Sequence, residues 1–442
     1  MTRQLVTGQV LRFAGPVSRD APLDSAWVDS DGALLVENGR IRDVGSAEKL
    51  GAAYPDLPCT SYGTRLIVPG FVDAHAHYPQ TAMIASWGKR LIDWLNHYTF
   101  PEEMRFADPA YARTVARRYF DLVLSHGTTT VCSFCTIHPG SVDAFLEEAE
   151  ARNLRVAAGK TCMDRNAPAD LCDTAQSAYD ESKALLDRWH GRGRITYAIT
   201  PRFSPTSTPD QLEALGALWT EHPDALMQTH LSEQVDEIDW VKTLHPDARD
   251  YLDTYEKMHL LGERGIYGHA IHLEPRERDI LRDHGAGLVH CPTSNTFIGS
   301  GLFDMDGLTR AGQRIGLATD TGGGSSFSML RTMAAAYEIA QLRGHALHPA
   351  ELMWLATAGS ADVLHMGDRI GRLEPGYEAD FVVLDLASTP DIAQRSAQAR
   401  DIWEALFPTI MMGDDRAIAS VWVHGRPVVQ PAQQGAAKTA VQ

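Results

Sequence analysis

Pro69-Gly-Phe-Val-Asp-Ala-His75-Ala-His77-Tyr-Pro-Gln80 is the stretch on which the reading of this chain turns. It continues an apolar run, Leu66 to Val72, that reads as a buried strand. Side chains at i and i+2 of a strand share a face. A strand therefore aims the imidazoles of His75 and His77 at one point, which is how two neutral imidazoles come to hold a metal ion. Two histidines at a strand end prove little by themselves, so the weight falls on what surrounds them.

From about Leu66 to about Leu342, near-continuous apolar runs alternate with stretches of helical periodicity. The strand-like runs are Leu66–Tyr78, Gly127–Cys135, Arg155–Asp164, Ile195–Phe203, Leu226–Leu231, Ile266–Leu273, Gly287–Pro292 and Ile315–Thr321. Between them, Asp108–Leu124, Val142–Arg152, Thr174–Trp189, Pro209–Glu221, Tyr251–Arg264 and Glu274–His284 carry the helical period. Eight such strand-then-helix units predict an α/β fold, a (β/α)8 TIM barrel with its chemistry at the carboxyl-terminal face. Short alternating runs with turn signals flank this region. They include Val28-Asp-Ser-Asp-Gly32 and Glu37-Asn-Gly39 before it, and Asp380-Phe-Val-Val-Leu-Asp385 and Ala419-Ser-Val-Trp-Val-His-Gly425 after it. They predict a small β-sandwich domain built from both termini, residues 1–66 and 371–442, with the barrel over 67–370. The Ala- and Gln-rich tail from Gln430 is expected to fray.

Lys and Arg number 40 against 57 Asp and Glu, a formal net charge of −17. That balance argues against a nucleic-acid polymer as partner, which needs a basic stripe, but leaves room for a single base in a neutral pocket. No apolar run reaches membrane-spanning length, and Met1-Thr-Arg-Gln-Leu-Val lacks the apolar core of a secretion signal. A cytoplasmic protein with no membrane partner is expected. Cys59, Cys132, Cys135, Cys162, Cys172 and Cys291 are scattered and read as reduced, mostly buried thiols. The Cys132/Cys135 pair has no second CxxC with which to complete a zinc site.

The ends of the predicted strands carry a consistent set of ligand-type residues. Strand five ends Gln228-Thr-His230-Leu-Ser-Glu233, strand six carries Gly268-His269-Ala-Ile-His272, and strand eight ends Ala318-Thr-Asp320-Thr-Gly-Gly-Gly324. Imidazoles from strands one and five and a carboxylate from strand eight would surround the barrel axis. Such a set suits one borderline divalent ion, zinc first and Fe2+ second. The ion would generate hydroxide near neutral pH, with Asp320 beside it to accept a proton. Glu233, on the loop leaving strand five, can carry a proton, and it also reads as an N-cap or first-turn carboxylate of the next helix. Of the two strand-six histidines, His269 is nearer the strand body and is the candidate; His272 reads as a loop or surface residue. Lys160 on strand three could bridge two metals as a carbamate, but strand four has no lysine, so a single ion is expected. His272-Leu-Glu274 and Cys132-Ser-Phe-Cys135 invert the order of the cytidine-deaminase motif and lack its proline, so that chemistry is rejected.

These motifs together resemble the amidohydrolase superfamily and, within it, the guanine deaminases. The superfamily pattern lies in Pro69–His77, Thr229-His230-Leu-Ser-Glu233, Gly268-His269, Thr319-Asp320 and the return through Gly371–Asp385. The narrower signals are His77-Tyr-Pro-Gln80, Leu95-Asn-His-Tyr-Thr-Phe-Pro-Glu102, Lys160-Thr-Cys-Met-Asp164, Thr200-Pro-Arg202-Phe203 and His290-Cys-Pro-Thr-Ser-Asn295. The resemblance implies metal ligands His75, His77, His230 and Asp320, with Glu233 as proton carrier and His269 and Asp320 assisting catalysis. It implies substrate recognition by Gln80, Arg202, Phe203 and His269, and hydrolytic deamination of guanine to xanthine and ammonia by a homodimer. Another aminopurine, an oxidised guanine or a pterin is the alternative substrate. Asp164–Pro168 and Asn295–Phe303 match the family in character without residue-level roles, and the neighbourhood of Trp94 reads as a lid.

Overall fold

The computed structural model describes residues 3–88 and 90–429, so the tail expected to fray lies outside the described residues. Eight parallel strands follow one another around a barrel: β1 (Phe71–His77), β2 (Thr128–Phe134), β3 (Arg155–Gly159), β4 (Ile195–Pro201), β5 (Leu226–Leu231), β6 (Gly265–His269), β7 (Gly287–His290) and β8 (Arg314–Leu317). Almost every residue of these strands is buried, because the helices cover one face and the barrel interior fills the other. That double burial is why the strands read as unbroken apolar runs. Where β8 returns to β1, Asp73 draws the ends together: it accepts from Thr319 N (2.9 Å) and from the Thr319 hydroxyl. Asp320 N then donates to His75 O at 3.0 Å.

The predicted strand Leu66–Tyr78 is two strands in two different sheets. Cys59–Pro69 runs antiparallel to Phe381–Leu384 in the terminal sheet, and β1 begins only at Phe71. Gly70 is the joint. Its N–H donates to Asp380 O at 3.0 Å, and a Cβ there would lie 2.1 Å from Thr129 Oγ1, so only glycine lets the chain cross. The predicted helix Tyr251–Arg264 shrinks to the single turn Asp253–Glu256. His259 takes a left-handed φ of 56°, and the Met258 carbonyl presses where a Cβ on Gly216 would be, 1.7 Å away. Docking on the helix Pro209–Glu221 overrides local helical preference there. Helices Val235–Leu244, Met329–Leu342 and Ile402–Met412 complete the outer layer beyond those the sequence suggested.

Strands from both termini form one seven-stranded sheet, ordered Arg426–Val429, Ile418–Val423, Phe381–Leu384, Cys59–Pro69, Arg3–Phe13, Ala26–Glu37, Arg40–Ser46. It curls, so that Ala379 N, just before Phe381–Leu384, donates to Gly39 O, just before Arg40–Ser46, at 2.8 Å, and it encloses Val6, Val36, Ile67, Phe381 and Trp422. This sheet is tied to the barrel floor by buried charges. Arg155 Nε and Arg194 Nε, at the starts of β3 and β4, reach Glu378 Oε2 at 2.7 and 3.0 Å, and Arg194 also binds Asp380. Burial alone would raise the Glu378 pKa, but the two guanidiniums bring it down to about 2. Among the described residues, no helix is long and apolar enough to cross a membrane.

Candidate active site

The carboxyl-terminal ends of β1, β5, β6 and β8 converge. His75 and His77 leave β1 on one face, as the period of two requires, and the His77 ring stacks on Phe134 from the end of β2, centroids 4.5 Å apart. His230 at the end of β5 sets its Nδ1 2.7 Å from the Arg202 carbonyl oxygen. That oxygen can only accept, so Nδ1 carries the proton and Nε2 keeps its lone pair. The lone-pair nitrogen lies 3.2 Å from His77 Nε2. Burial holds the pKa values of His75, His77 and His230 below the ordinary imidazole value, which favours the neutral, ligating form.

Asp320 Oδ1 stands 3.5 Å from His75 Nε2 and 3.4 Å from His77 Nε2. Burial would raise its pKa, but the adjoining His75 and His269 rings bring it down to about 2. Both nitrogens of His75 and Nδ1 of His77 are buried with no hydrogen-bond partner among the described residues. Buried polar atoms without partners are costly, and the convergence of His75 Nε2, His77 Nε2, His230 Nε2 and Asp320 Oδ1 is a donor set that a cation would satisfy. The ligand atoms of His75, His77 and Asp320, and those of His75, His230 and His269, each lie within 4.8 Å of one another. Three neutral imidazoles and one carboxylate fit a single borderline divalent ion.

Around this cluster the backbone is strained. Ser232, His269, Ala270 and Asp320 have φ of 48, 66, 48 and 47°, all left-handed and all at strand ends facing the mouth. Beyond Ser232, the carboxylate of Glu233 accepts from Ser300 Oγ (2.9 Å), and its other oxygen is 3.6 Å from His269 Nε2. Burial is the main reason its pKa rises to about 7. Glu233 is not the helix cap that its position also allowed. Gln234 is the N-cap, and Glu237 Oε2 accepts from the N–H groups of Glu233 and Gln234 at 2.9 and 3.0 Å, leaving Glu233 free for the pocket. His269 Nδ1 meets Asn295 Oδ1 at 2.8 Å. Burial opposes protonation of His269, yet Glu233 and Asp320 carry its pKa above the ordinary value. His272 stays outside the cluster and braces the loop, with Nε2 2.8 Å from Ser300 O.

A pocket opens over these groups, walled by Gln80, Leu91, Trp94, Leu95, Arg202 and Phe203. Trp94, Leu95 and Phe203 belong to one buried apolar cluster, which makes the segment around Trp94 a wall of the pocket. Lys160 faces away from the axis, paired with Asp173 and, at 3.5 Å, with Glu181. Cys132 donates its thiol to Gln228 Oε1 (3.2 Å), and the six cysteines are all free.

The model of the amidohydrolase family matches residues 66–428, the barrel and the strands that return to the terminal sheet. The chain belongs to the amidohydrolase family. A second model, for an imidazolonepropionase-like composite domain of bacteria, matches residues 32–56. Within the family the chain groups with the guanine deaminases. It is 44% identical to the guanine deaminase of Escherichia coli strain K12 over 90% of this chain and 91% of that one. The solved E. coli guanine deaminase superposes with a TM-score of 0.95 at 42% identity, covering 97% of this chain and all (100%) of that chain. A guanine deaminase from C. acetobutylicum, solved with bound guanine in its active site, superposes with a TM-score of 0.89 at 27% identity, over 97% of this chain and 100% of that one.

Against this family background, four contributors escaped the sequence reading. Phe134 is the platform for His77, Asn295 orients His269, Ser300 holds Glu233, and Glu103 bonds both Gln80 and Arg202. Asn295 closes a motif that was already conspicuous, and Glu103 directly follows another. Their partners come from other strands, so no local spacing exposes them.

Proposed function

We propose that this protein is a zinc-dependent guanine deaminase, converting guanine and water to xanthine and ammonia. The reading rests on one juxtaposition: a buried carboxylic acid with a pKa near neutrality, Glu233, beside a single-cation cluster, beneath a pocket whose far wall presents Gln80 and Arg202. It is supported by the guanine deaminases to which the chain is similar.

His75, His77, His230 and Asp320 are the proposed ligands, and zinc is the ion that best suits three neutral imidazoles with one carboxylate. When bound, such an ion acidifies a water so that it can act as a nucleophile near pH 7. Arg202 has donors for the C6 carbonyl oxygen of guanine, and Gln80 reads the adjoining ring edge. Phe203 supplies an apolar wall for the flat base. Glu233, poised between its two protonation states, takes a proton from the attacking water and delivers it to N3 as the new C2–O bond forms. His269 holds the developing tetrahedral centre by hydrogen bonding, oriented by Asn295. A second proton, relayed by Asp320 and Glu233, reaches the amine before the C2–N bond breaks. Ammonia therefore departs in place of an amide ion, which is far too basic to leave.

The test is direct. Metal-quantified protein is mixed with guanine, and xanthine absorbance and ammonia are followed together. Equimolar product formation is expected. Faster turnover of an oxidised guanine, a pterin or another aminopurine in the same assay overturns the assignment of guanine.

A further inference from the structure

Glu103 stands in the short helix Phe100–Met104 and is 1% exposed. Each of its carboxylate oxygens holds one wall residue of the pocket: Oε1 accepts from Gln80 Nε2 at 3.0 Å, and Oε2 from Arg202 Nη1 at 2.7 Å. A carboxylate paired with a guanidinium can only accept, so the Gln80 amide has one permitted orientation, nitrogen toward Glu103 and oxygen away. The oxygen left over, Gln80 Oε1, is buried and has no partner among the described residues. It lies against the glycine loop after β8, where a Cβ on Gly322 would be only 2.0 Å from it. Gln80 lines the pocket, and its amide oxygen is the acceptor that no described residue engages.

Arg202 is buried to a similar degree, 3% exposed, and Glu103 engages one of its nitrogens, leaving other donors for a ligand carbonyl. A buried guanidinium without a counter-charge would draw anions strongly, because charges interact across such a pocket with little screening. Paired with Glu103, it presents donors without net charge.

We propose that Glu103 is the positioning and specificity-setting residue of the base pocket, fixing Gln80 as acceptor and Arg202 as donor and cancelling the Arg202 charge so that a neutral base is preferred over an anionic one. The inference rests on the guanine reading above and deepens it. Xanthine is a stronger acid than guanine and is largely an anion slightly above neutral pH. A charge-balanced pocket therefore binds the neutral substrate and releases the product.

The experiment compares native protein, Glu103→Gln and Glu103→Asp at pH 8, where xanthine is mostly anionic and hypoxanthine mostly neutral. KM and kcat for guanine are measured alongside inhibition by each of these two bases, with bound zinc and Tm as controls. The native protein is expected to bind hypoxanthine more tightly than xanthine. Glu103→Gln should raise the guanine KM about tenfold, equivalent to about 1.4 kcal/mol, with kcat changed much less, and should shift the inhibition ratio toward xanthine by about tenfold. Glu103→Asp, which keeps the charge, should raise KM while retaining the native ratio. An unchanged ratio in Glu103→Gln overturns the proposal. If that variant does not fold, native protein that prefers anionic xanthine overturns it equally. Failure of native protein to deaminate guanine would instead strike the underlying reading, so the two failures are distinguishable.

Discussion

The two ends of this barrel follow opposite rules. At the amino-terminal floor, Arg155 and Arg194 meet Glu378 and Asp380 in a buried, mutually compensated set. At the carboxyl-terminal mouth, three imidazole nitrogens and the Gln80 oxygen are buried without partners among the described residues, and four residues at strand ends sit in left-handed backbone. An unsatisfied buried polar atom costs roughly 1–3 kcal/mol, and a left-handed residue other than glycine about as much. The floor is built to hold the fold together. The mouth keeps atoms available for a ligand and an ion, and the rest of the molecule must offset its strain. Substitutions at the two ends should therefore separate stability from rate.

The largest separation is expected at Glu233. Glu233→Gln removes a titrating acid while preserving shape and the Ser300 contact. The turnover number should fall by roughly 10³-fold or more, since proton transfer at both the ring and the amine is lost. Bound metal and Tm should stay at native values. Turnover within threefold of native, measured on metal-quantified protein, would break the contrast, because the mouth would then hold a buried acid with no task.

At the floor the expected effect is smaller and falls on stability. The folded pKa of Glu378, about 2, lies below its ordinary value of 4.5. The sign follows from that depression: the stabilisation is complete above the ordinary value and is lost as pH drops from about 4.5 toward 2. Its size is on the order of 3 kcal/mol. Glu378→Gln should lose a similar amount at pH 7, with a flatter acid limb in denaturant titrations, while kcat of the folded fraction remains within twofold. A variant as stable as native at pH 7 would show that the floor is not the anchor its geometry suggests.

The same contrast explains what could be read from the sequence. Strand order and the barrel were legible because double burial writes itself as apolar runs, and ligand-type residues at strand ends needed only the fold to bring them together. Hydrophobic continuity hid the change of sheet at Gly70, since both sides of the joint are buried. Helical periodicity over Tyr251–Arg264 gave way to a tertiary contact, the Met258 carbonyl against Gly216. Glu103 was silent because its partners Gln80 and Arg202 are 23 and 99 residues distant. The floor clamp went unseen for the same reason, with 223 residues separating Arg155 from Glu378. Local pattern reports what an element is, while a charge partner supplied by another element leaves no periodic trace.

The finest test lies one contact back from the proposed chemistry, at Asn295. Its Oδ1 accepts from His269 Nδ1 at 2.8 Å, and its amide nitrogen lies 3.5 Å from His290 Nδ1, so the side chain is oriented from both sides. The bond fixes the His269 ring and turns Nε2 toward Glu233 and Asp320, 3.6 and 3.8 Å away. Without it the ring can rotate, and Nε2 loses its aim. Asn295→Ala should lower kcat/KM about tenfold, comparable to losing the orienting partner of a metal-site histidine. Removing one buried hydrogen bond would ordinarily register first as lost stability, about 1 kcal/mol. Here the loss should appear in the rate by a larger margin than in the denaturant midpoint. If the midpoint falls while kcat/KM holds, Asn295 belongs with the floor in kind, and the boundary between the two regimes runs closer to the metal cluster than the His269 geometry implies.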